Sequence, residues 1–319
     1  MQRDEVMATG GYGPNFEHLM PKYRIIDALR TGHDSFETQC DSYAAYRLIK
    51  YMTLFTKEAQ YGNWAESLLY NATASTIPMT EDGKVIYYSD YNMYGAQKIN
   101  RADGWTCCTG TRPLLVAEMQ RLIYFEDQSG LYVSQFIPST LHWKAADYDV
   151  TITQITDFPR ENSSQIILSL DSPRTFDIHF RMPSWLAGSM TVSLNGRPLE
   201  TSVNSGGWLS VRAMWHDKDT LTIALPQNVW MHSFDPEKKG PNAFLHGPVV
   251  LAAEYSGLQT PNDHIDIRSL VPKMRPVNGS PLHYSVDGID TISFRPFYEW
   301  KENERYFLYH DTTAHAGKR

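Results

Sequence analysis

The chain of 319 residues is 42% hydrophobic, 20% charged and 13% aromatic, which is the composition of a globular protein long enough for two domains. Disordered, collagen-like and coiled-coil chains are excluded. Twenty-nine Lys and Arg against 36 Asp and Glu leave a formal charge of -7, so there is no basic surplus to neutralise a phosphate backbone or hold an anionic membrane, and neither is an expected partner. No apolar run approaches the roughly 20 residues that cross a bilayer, and Met1-Gln2-Arg3-Asp4-Glu5 lacks the apolar core of a signal peptide. Compartment, cytoplasmic or periplasmic, and oligomeric state are left open.

The N-terminal stretch Gly10-Gly11-Tyr12-Gly13-Pro14-Asn15-Phe16-Glu17-His18 is glycine-rich but has neither the GxGxxG spacing nor the Lys-Ser/Thr of a phosphate loop. Its glycines suit a close backbone approach, and Glu17-His18 supplies a titratable pair. A helix is predicted over 37–56, where Tyr43, Tyr46, Leu48, Tyr51, Met52 and Phe55 recur at spacings of three and four as a core-facing stripe. Asp34 and Glu37 read as its capping box. Glu37 and Cys40, spaced i, i+3, also share one helical face and suit paired metal ligation. A second helix is predicted from Trp64 to about Ala74. Tyr87-Tyr88-Ser89-Asp90-Tyr91 and Trp105 follow, aromatic groups that serve either a core or the faces of sugars.

Only three cysteines are present, and two are adjacent, Cys107-Cys108. A bridge between neighbours is strained, and pairing Cys40 with either leaves one thiol over, so a disulfide framework is excluded. Either the three thiols are separately buried, or Cys40, Cys107 and Cys108 join Glu37 in a Cys3Glu set whose donor chemistry selects zinc over calcium or magnesium. A third helix is predicted from Pro113 to Tyr124 with Leu114, Val116, Met119, Leu122 and Ile123 along one side. No HExxH and no GxSxG occurs, which argues against a zincin and a serine hydrolase of the α/β type.

After residue 125 the period drops to two. Tyr148/Val150/Ile152, Phe176/Ile178/Phe180, Met190/Val192/Leu194 and Leu221/Ile223/Leu225 alternate with polar residues as half-buried strands, and Asn195-Gly196 signals a type I′ hairpin. Such strands read as an antiparallel sandwich. A further β-rich stretch, about 243–309, contains Val249-Val250-Leu251 and Ile292-Ser293-Phe294. The sequons at Asn71, Asn162 and Asn278 are near the number expected by chance.

Taken in order, Gly10-Gly11-Tyr12-Gly13 with Glu17, the Glu37/Cys40 helix start, Leu69-Tyr70-Asn71, Gly104-Trp105-Thr106-Cys107-Cys108, Arg181-Met182-Pro183-Ser184-Trp185, Leu194-Asn195-Gly196, His246-Gly247-Pro248 and Arg295-Pro296-Phe297-Tyr298-Glu299 resemble the C-terminal part of glycoside hydrolase family 127, the β-L-arabinofuranosidase family. The resemblance implies an α+β multidomain chain: an incomplete (α/α)6-barrel segment over 1–125 carrying the active site, an antiparallel, jelly-roll-like β-sandwich over 126–235, and a second β-rich region over 236–319. It implies a retaining glycosidase acting on a carbohydrate, a plant-type oligosaccharide or glycoside. Cys107 resembles the family's zinc-bound nucleophile, Glu17 its general acid/base, and Glu37, Cys40 and Cys108 the other zinc ligands, with Tyr88, Trp105 and His18 on the substrate side. The family spaces its helix start as Glu-x-Cys, whereas Thr38 and Gln39 separate Glu37 from Cys40 here, so Glu37, Gln39 or a water supplies the oxygen donor.

Two further expectations follow from the resemblance. With the family's earlier barrel helices outside this sequence, the helical part should expose apolar side chains. The alternative to an enzyme is a catalytically incomplete fragment, with a structural zinc–thiolate site and a sandwich that packs or binds carbohydrate.

Overall fold

A computed structural model describes residues 6–13, 19–33, 39–77, 86, 88–99, 107–145, 148–234, 240–256 and 266–311, with residues 99 and 107–109 described by backbone alone. It is a mixed α/β structure with several antiparallel sheets, divided into two compact units. One gathers 1–46, 66–117 and 229–319; the other gathers 47–65 and 118–228.

The first unit is organised by one sheet. Its strands are β14 (Val229–Ser233), β15 (Asn242–His246), β16 (Val249–Tyr255), β17 (Met274–Pro276), β18 (Tyr284–Val286) and β19 (Ile289–Pro296), ordered β14-β15-β16-β19-β18-β17. The uninterrupted apolar run Val249-Val250-Leu251-Ala252-Ala253 is what a strand covered on both faces requires. Alternate residues serve two clusters. Val250 and Ala252 pack with Ile25, Leu29, Tyr91, Phe297, Trp300 and Tyr306, while Val249, Leu251 and Ala253 pack with Phe244, Leu270, Ile292 and Phe294. Ile25 and Leu29 belong to a helix, Lys22–Thr31, that periodicity did not announce, because its apolar pattern is only two turns long.

The other helical segments differ from their sequence reading in register. The helix Gln39–Thr56 forms, but of the expected stripe only Tyr46 is buried, Tyr43 and Met52 are half-buried, and the inward face is completed by Ala45, Ile49 and Thr53. The helix predicted from Trp64 begins at Gln60, runs to Ser67, and continues as a π-helical turn Leu68–Thr73 and a 3-10 turn Ala74–Thr76. The third helix is Cys107–Gln120, six residues earlier than read, and places Pro113 at its seventh position. The polar opening Cys-Cys-Thr-Gly-Thr-Arg has no apolar period, so the start was invisible to pattern. Leu115 is fully buried, whereas Leu114 and Val116 are exposed. A two-stranded ribbon, β1 (Tyr88–Ser89) and β2 (Lys98–Ile99), pairs Tyr88 with Ile99.

The π-helical turn is fastened to the sheet by one side chain. Asn71, fully buried, donates to the Ser67 and Pro248 carbonyls, both at 2.9 Å, and accepts the Val250 amide at 2.7 Å. The first of the three sequons is therefore inaccessible to glycosylation.

In the second unit, β5 (Ser139–Lys144), β6 (Asp149–Ile155), β7 (Ser163–Leu170), β9 (Thr191–Leu194), β10 (Arg197–Pro198) and β13 (Thr220–Ala224) form a sheet ordered β10-β9-β13-β7-β6-β5. A second is ordered β11-β12-β8-β4-β3, from β3 (Tyr124–Asp127), β4 (Gly130–Val133), β8 (Arg174–Arg181), β11 (Ser202–Val203) and β12 (Trp208–Trp215). Burial alternates along β6, β7 and β13, as the period of two required. Trp143 of β5 meets Phe176 of β8 edge-on at 5.2 Å, joining the two sheets' buried faces. Asn195 (φ 51°) and Gly196 (φ 79°) close the hairpin that the sequence signalled. One pair, β4 with β8, is parallel, a departure from a purely antiparallel sandwich; on its other edge β4 pairs antiparallel with its hairpin neighbour β3.

Arg181, fully buried, runs from this second sheet to the helical residues 60–67. It donates to the Ser134 carbonyl at 2.5 Å and to Asn63 Oδ1 at 2.6 Å. On the helix of this unit, Leu48, Tyr51, Leu54 and Phe55 are 40%, 45%, 52% and 82% exposed, with the Tyr51 and Phe55 rings stacked at 6.4 Å. Apolar exposure on the helical part is thus seen, and it includes three residues that periodicity had assigned to the core.

Two measurements check this account. Asn71→Ala strands the Val250 amide and the Pro248 carbonyl and should cost about 2–6 kcal/mol in chemical denaturation, the sum of roughly 1–3 kcal/mol for each orphaned group. A cost under about 0.5 kcal/mol would show that the carboxamide is dispensable. Burial also lowers the pKa values of His232 and His246 to about 4 and that of His310 to about 3, from an ordinary 6.5. These imidazoles are neutral in the fold and protonate more readily when unfolded, so their contribution is whole above pH 6.5 and drains away as pH falls toward 4. The melting temperature should fall steeply across that window; a flat profile would contradict it.

Candidate metal centre

The glycine-rich segment turns back on itself, Met7 N donating to the Gly11 carbonyl at 2.8 Å and Gly10 N to the Met7 carbonyl at 2.9 Å. Gly10 has φ 82°, and a Cβ there would lie 2.8 Å from the Leu68 backbone nitrogen, so glycine is required by contact as well as by conformation. The Tyr12 hydroxyl donates to the Asp41 carbonyl at 3.1 Å, tying this loop to the first turn of the Gln39–Thr56 helix.

That first turn is unusual in what it buries. Gln39 and Ser42 are each 1% exposed and Asp41 is 6% exposed, while Cys40 between them is half-buried. Among the described residues, neither Gln39 Oε1 nor Ser42 Oγ has a hydrogen-bond partner. Leaving a buried polar oxygen unpaired costs roughly 1–3 kcal/mol, so two in one helical turn call for a ligand or a strong local reason.

Facing this turn is the start of the Cys107–Gln120 helix. Cys40 Sγ lies 3.2 Å from Thr111 Oγ1, a contact between residues 71 positions apart. Thr111 is four residues from Cys107 and three from Cys108, which on a helix rising 1.5 Å per residue puts their backbone positions about 6 and 4.5 Å away along the axis. The fold therefore sets Cys40 about one helical turn from the backbone of the cysteine pair. Arg112, the next residue, donates to Thr76 Oγ1, and Thr76 in turn donates to the Thr73 carbonyl at 2.7 Å. The Tyr46 hydroxyl meets Thr73 Oγ1 at 3.2 Å. These links run from the cysteine helix to the turn that Asn71 anchors.

Of the residues singled out from sequence, Cys40 is placed at this junction. The helix bearing Cys107 and Cys108 is placed against it. Tyr88 is buried on the ribbon, opposite Ile99 and beside Ser89, whose partner is Lys98. Lys98 is 2% exposed, and burial lowers its ammonium to about 7 while it donates to the Ile77 carbonyl at 3.3 Å. Glu17, His18, Glu37 and Trp105 lie outside the described residues. Thr111 was not anticipated; its spacing of one helical turn from Cys107 was the available signal. Among the described residues no three His, Cys, Asp or Glu side chains form a group able to hold a metal ion, the side chains of Cys107 and Cys108 being outside that set.

Comparison with known proteins bears on this arrangement. Residues 1–121 match the model of the catalytic domain of GH127 β-L-arabinofuranosidases, and residues 130–227 match that of the GH127 middle domain. The chain is 28% identical over 238 residues to the non-reducing end β-L-arabinofuranosidase of Bifidobacterium longum subsp. longum, an alignment covering 67% of this chain and 35% of that protein. The crystal structure of a GH127 β-L-arabinofuranosidase from Geobacillus stearothermophilus T6 superposes with a TM-score of 0.72 at 18% identity, over 97% of this chain and 55% of the other. A second GH127 β-arabinofuranosidase structure gives 0.71 at 17% identity, over 98% and 54%. The chain thus spans about a third of the curated relative and about half of each of these solved ones.

Thr111→Val removes the hydroxyl beside Cys40 and keeps the shape. In metal-free protein it should lower stability by about 1 kcal/mol, with Thr111→Ser restoring most of the loss, read by urea unfolding. Equal stability of all three proteins would show the contact to be idle.

Proposed function

The chain belongs to glycoside hydrolase family 127, and from that premise we propose that it is a retaining glycosidase of the β-L-arabinofuranosidase kind, acting on a non-reducing terminal sugar of a plant-type oligosaccharide or glycoside. The observation that supports this reading is the Cys40–Thr111 contact, which sets Cys40 against the helix whose first residues are Cys107 and Cys108. A half-buried thiol, an adjacent cysteine pair and orphaned oxygens suit a soft divalent cation. The proposed zinc ligands are Cys40, Cys107 and Cys108 with an oxygen donor, Glu37 by family resemblance. When bound, zinc would keep the thiols ionised at neutral pH, where a free thiol of pKa about 8.5 is mostly protonated.

Cys107 is then the nucleophile, its thiolate sulfur forming a bond to the anomeric carbon as the glycosidic C–O bond breaks. Glu17, as the acid, gives its proton to the departing oxygen. Glu17, as carboxylate, then takes a proton from water, which cleaves the thioglycosyl bond and returns Cys107 to its starting state. Two inversions give net retention. Tyr88, Trp105 and His18 supply substrate contacts, the aromatic rings stacking on sugar faces. The finer architecture belongs to the same proposal: a barrel segment over 1–125, a jelly-roll-like sandwich over 126–235 and a β-rich region over 236–319.

A second reading keeps the metal without the catalysis, the zinc–thiolate site being structural and the sandwich packing or binding carbohydrate. The exposed Leu48, Tyr51, Leu54 and Phe55 favour it, since apolar side chains in such number on one helix are seldom left to solvent. Hydrolysis of a p-nitrophenyl β-L-arabinofuranoside by the purified chain separates the two. The glycosidase reading expects turnover that falls by at least about 10³-fold in Cys107→Ser with circular dichroism unchanged. Undiminished turnover in Cys107→Ser defeats it, and absence of turnover in a zinc-loaded wild-type chain favours the structural reading.

A further inference from the structure

We propose that the second unit carries a non-catalytic sugar site, a shallow pocket that takes one neutral furanose or pyranose ring. The choice of a sugar rests on the glycosidase reading above; the pocket itself does not. It lies where the last turn of the Gln39–Thr56 helix meets the β3–β4 hairpin and measures about 320 Å³, its open mouth included. Leu54, Phe125 and Trp208 give it apolar walls, and Thr53, Lys57 and Tyr132 bring polar groups to it.

The position of Lys57 is over-determined. It follows the helix directly with φ 59°, a left-handed conformation that ordinarily falls to glycine or asparagine, and such outliers gather where a side chain must be held for a ligand. Its amide donates to the Thr53 carbonyl at 2.8 Å, its carbonyl accepts from Trp208 Nε1 at 2.8 Å, and its ammonium donates to Asp127 Oδ2 at 2.5 Å. Asp127 is fixed in turn, accepting the Ser129 amide at 2.8 Å, the Ser129 hydroxyl at 2.5 Å and the Tyr132 hydroxyl at 3.3 Å. Four donors fill its lone pairs, so Asp127 is a positioning residue, and the ligand meets the two other ammonium hydrogens of Lys57. Thr53 supplies a second polar contact. It is 5% exposed, and among the described residues its hydroxyl has no hydrogen-bond partner, which in a buried group calls for a ligand atom or a water.

The charge pattern selects a neutral ligand. Lys57 and Asp127 cancel, so an anion drawn to the ammonium also meets the carboxylate, and a cation meets the reverse. The Glu126 carboxylate is engaged elsewhere, accepting Trp143 Nε1 at 2.5 Å. A sugar hydroxyl accepts from Lys57, a neighbouring one pairs with Thr53, and the C–H face of the ring rests on half-buried Phe125 and exposed Leu54.

Lys57→Gly makes the test two-sided, because glycine relaxes the left-handed backbone while deleting the ammonium, so stability and binding should part. The full chain is labelled with 5-fluorotryptophan and titrated with methyl β-L-arabinofuranoside; the fluorine resonance of Trp208 reads this pocket alone, and thermal melting reads stability. A saturable shift at Trp208 is expected in wild type and equally in Cys107→Ser. Lys57→Gly should melt no lower than wild type yet need at least about tenfold more glycoside, the equivalent of one hydrogen bond to a charged group. Phe125→Leu, which keeps an apolar side chain without the flat ring, should weaken binding by about threefold or more. No saturable shift at Trp208, an unchanged midpoint in Lys57→Gly, or tighter binding of choline or sodium arabinonate than of the glycoside overturns the inference. Hydrolysis by the wild-type chain is followed alongside. Turnover without a response at Trp208 is the failure of this inference alone; a response without turnover leaves the pocket standing and defeats the glycosidase reading.

Discussion

A buried carboxamide fastens the π-helical turn of the first unit to its sheet. Asn71 answers two carbonyls and one amide, from a π-helical turn on one side and the Pro248–Val250 strand entry on the other. A π-turn leaves backbone groups out of their usual α-helical pairing, and such turns persist where neighbouring structure repays the irregularity. Here the repayment is local and specific. Because Thr73 and Thr76 follow directly, and Arg112 and Tyr46 hydrogen-bond to them, the position of the cysteine helix is set from the same anchor.

The same anchoring bears on the Cys40–Thr111 junction. Packing of apolar side chains alone does not fix the first turn of the Gln39–Thr56 helix. Its inward residues are Gln39, Asp41 and Ser42, and its apolar burial starts only at Ala45 and Tyr46. Polar contacts set the geometry instead: Tyr12 on the Asp41 carbonyl, Thr111 against Cys40, Arg112 on Thr76. The glycine loop contributes by its proximity to Ser67 and Leu68, which no side chain at residue 10 would permit.

Much of the β structure was legible in advance because a strand's period of two survives in any half-buried sheet. The alternations at 148–152, 176–180, 190–194 and 221–225 each mark a strand, and Asn195-Gly196 marks a turn whose positive φ values those two residues tolerate. Helices were less faithful. Tyr51 and Phe55 satisfy helical spacing yet are exposed, since periodicity reports a shared face without reporting what lies opposite. The start at Cys107 was hidden because its first six residues are polar or small, and Pro113, a residue suited to a first turn, drew the predicted boundary inward although it occupies the seventh position.

Sequence by itself determined the inventory: three cysteines that cannot pair into a disulfide framework, a set of ordered motifs, and a β-rich half with its turns marked. These are properties of residue type and short spacing, which a linear chain displays in full. Tertiary structure decided which of them meet. Cys40 and Thr111 are 71 residues apart, and Asn71 and Val250 are 179, and no local propensity carries information over such distances. The orphaned oxygen of Gln39 belongs to the same class, because a glutamine is ordinary in sequence and becomes informative only when folding removes it from water without offering it a donor among the described residues.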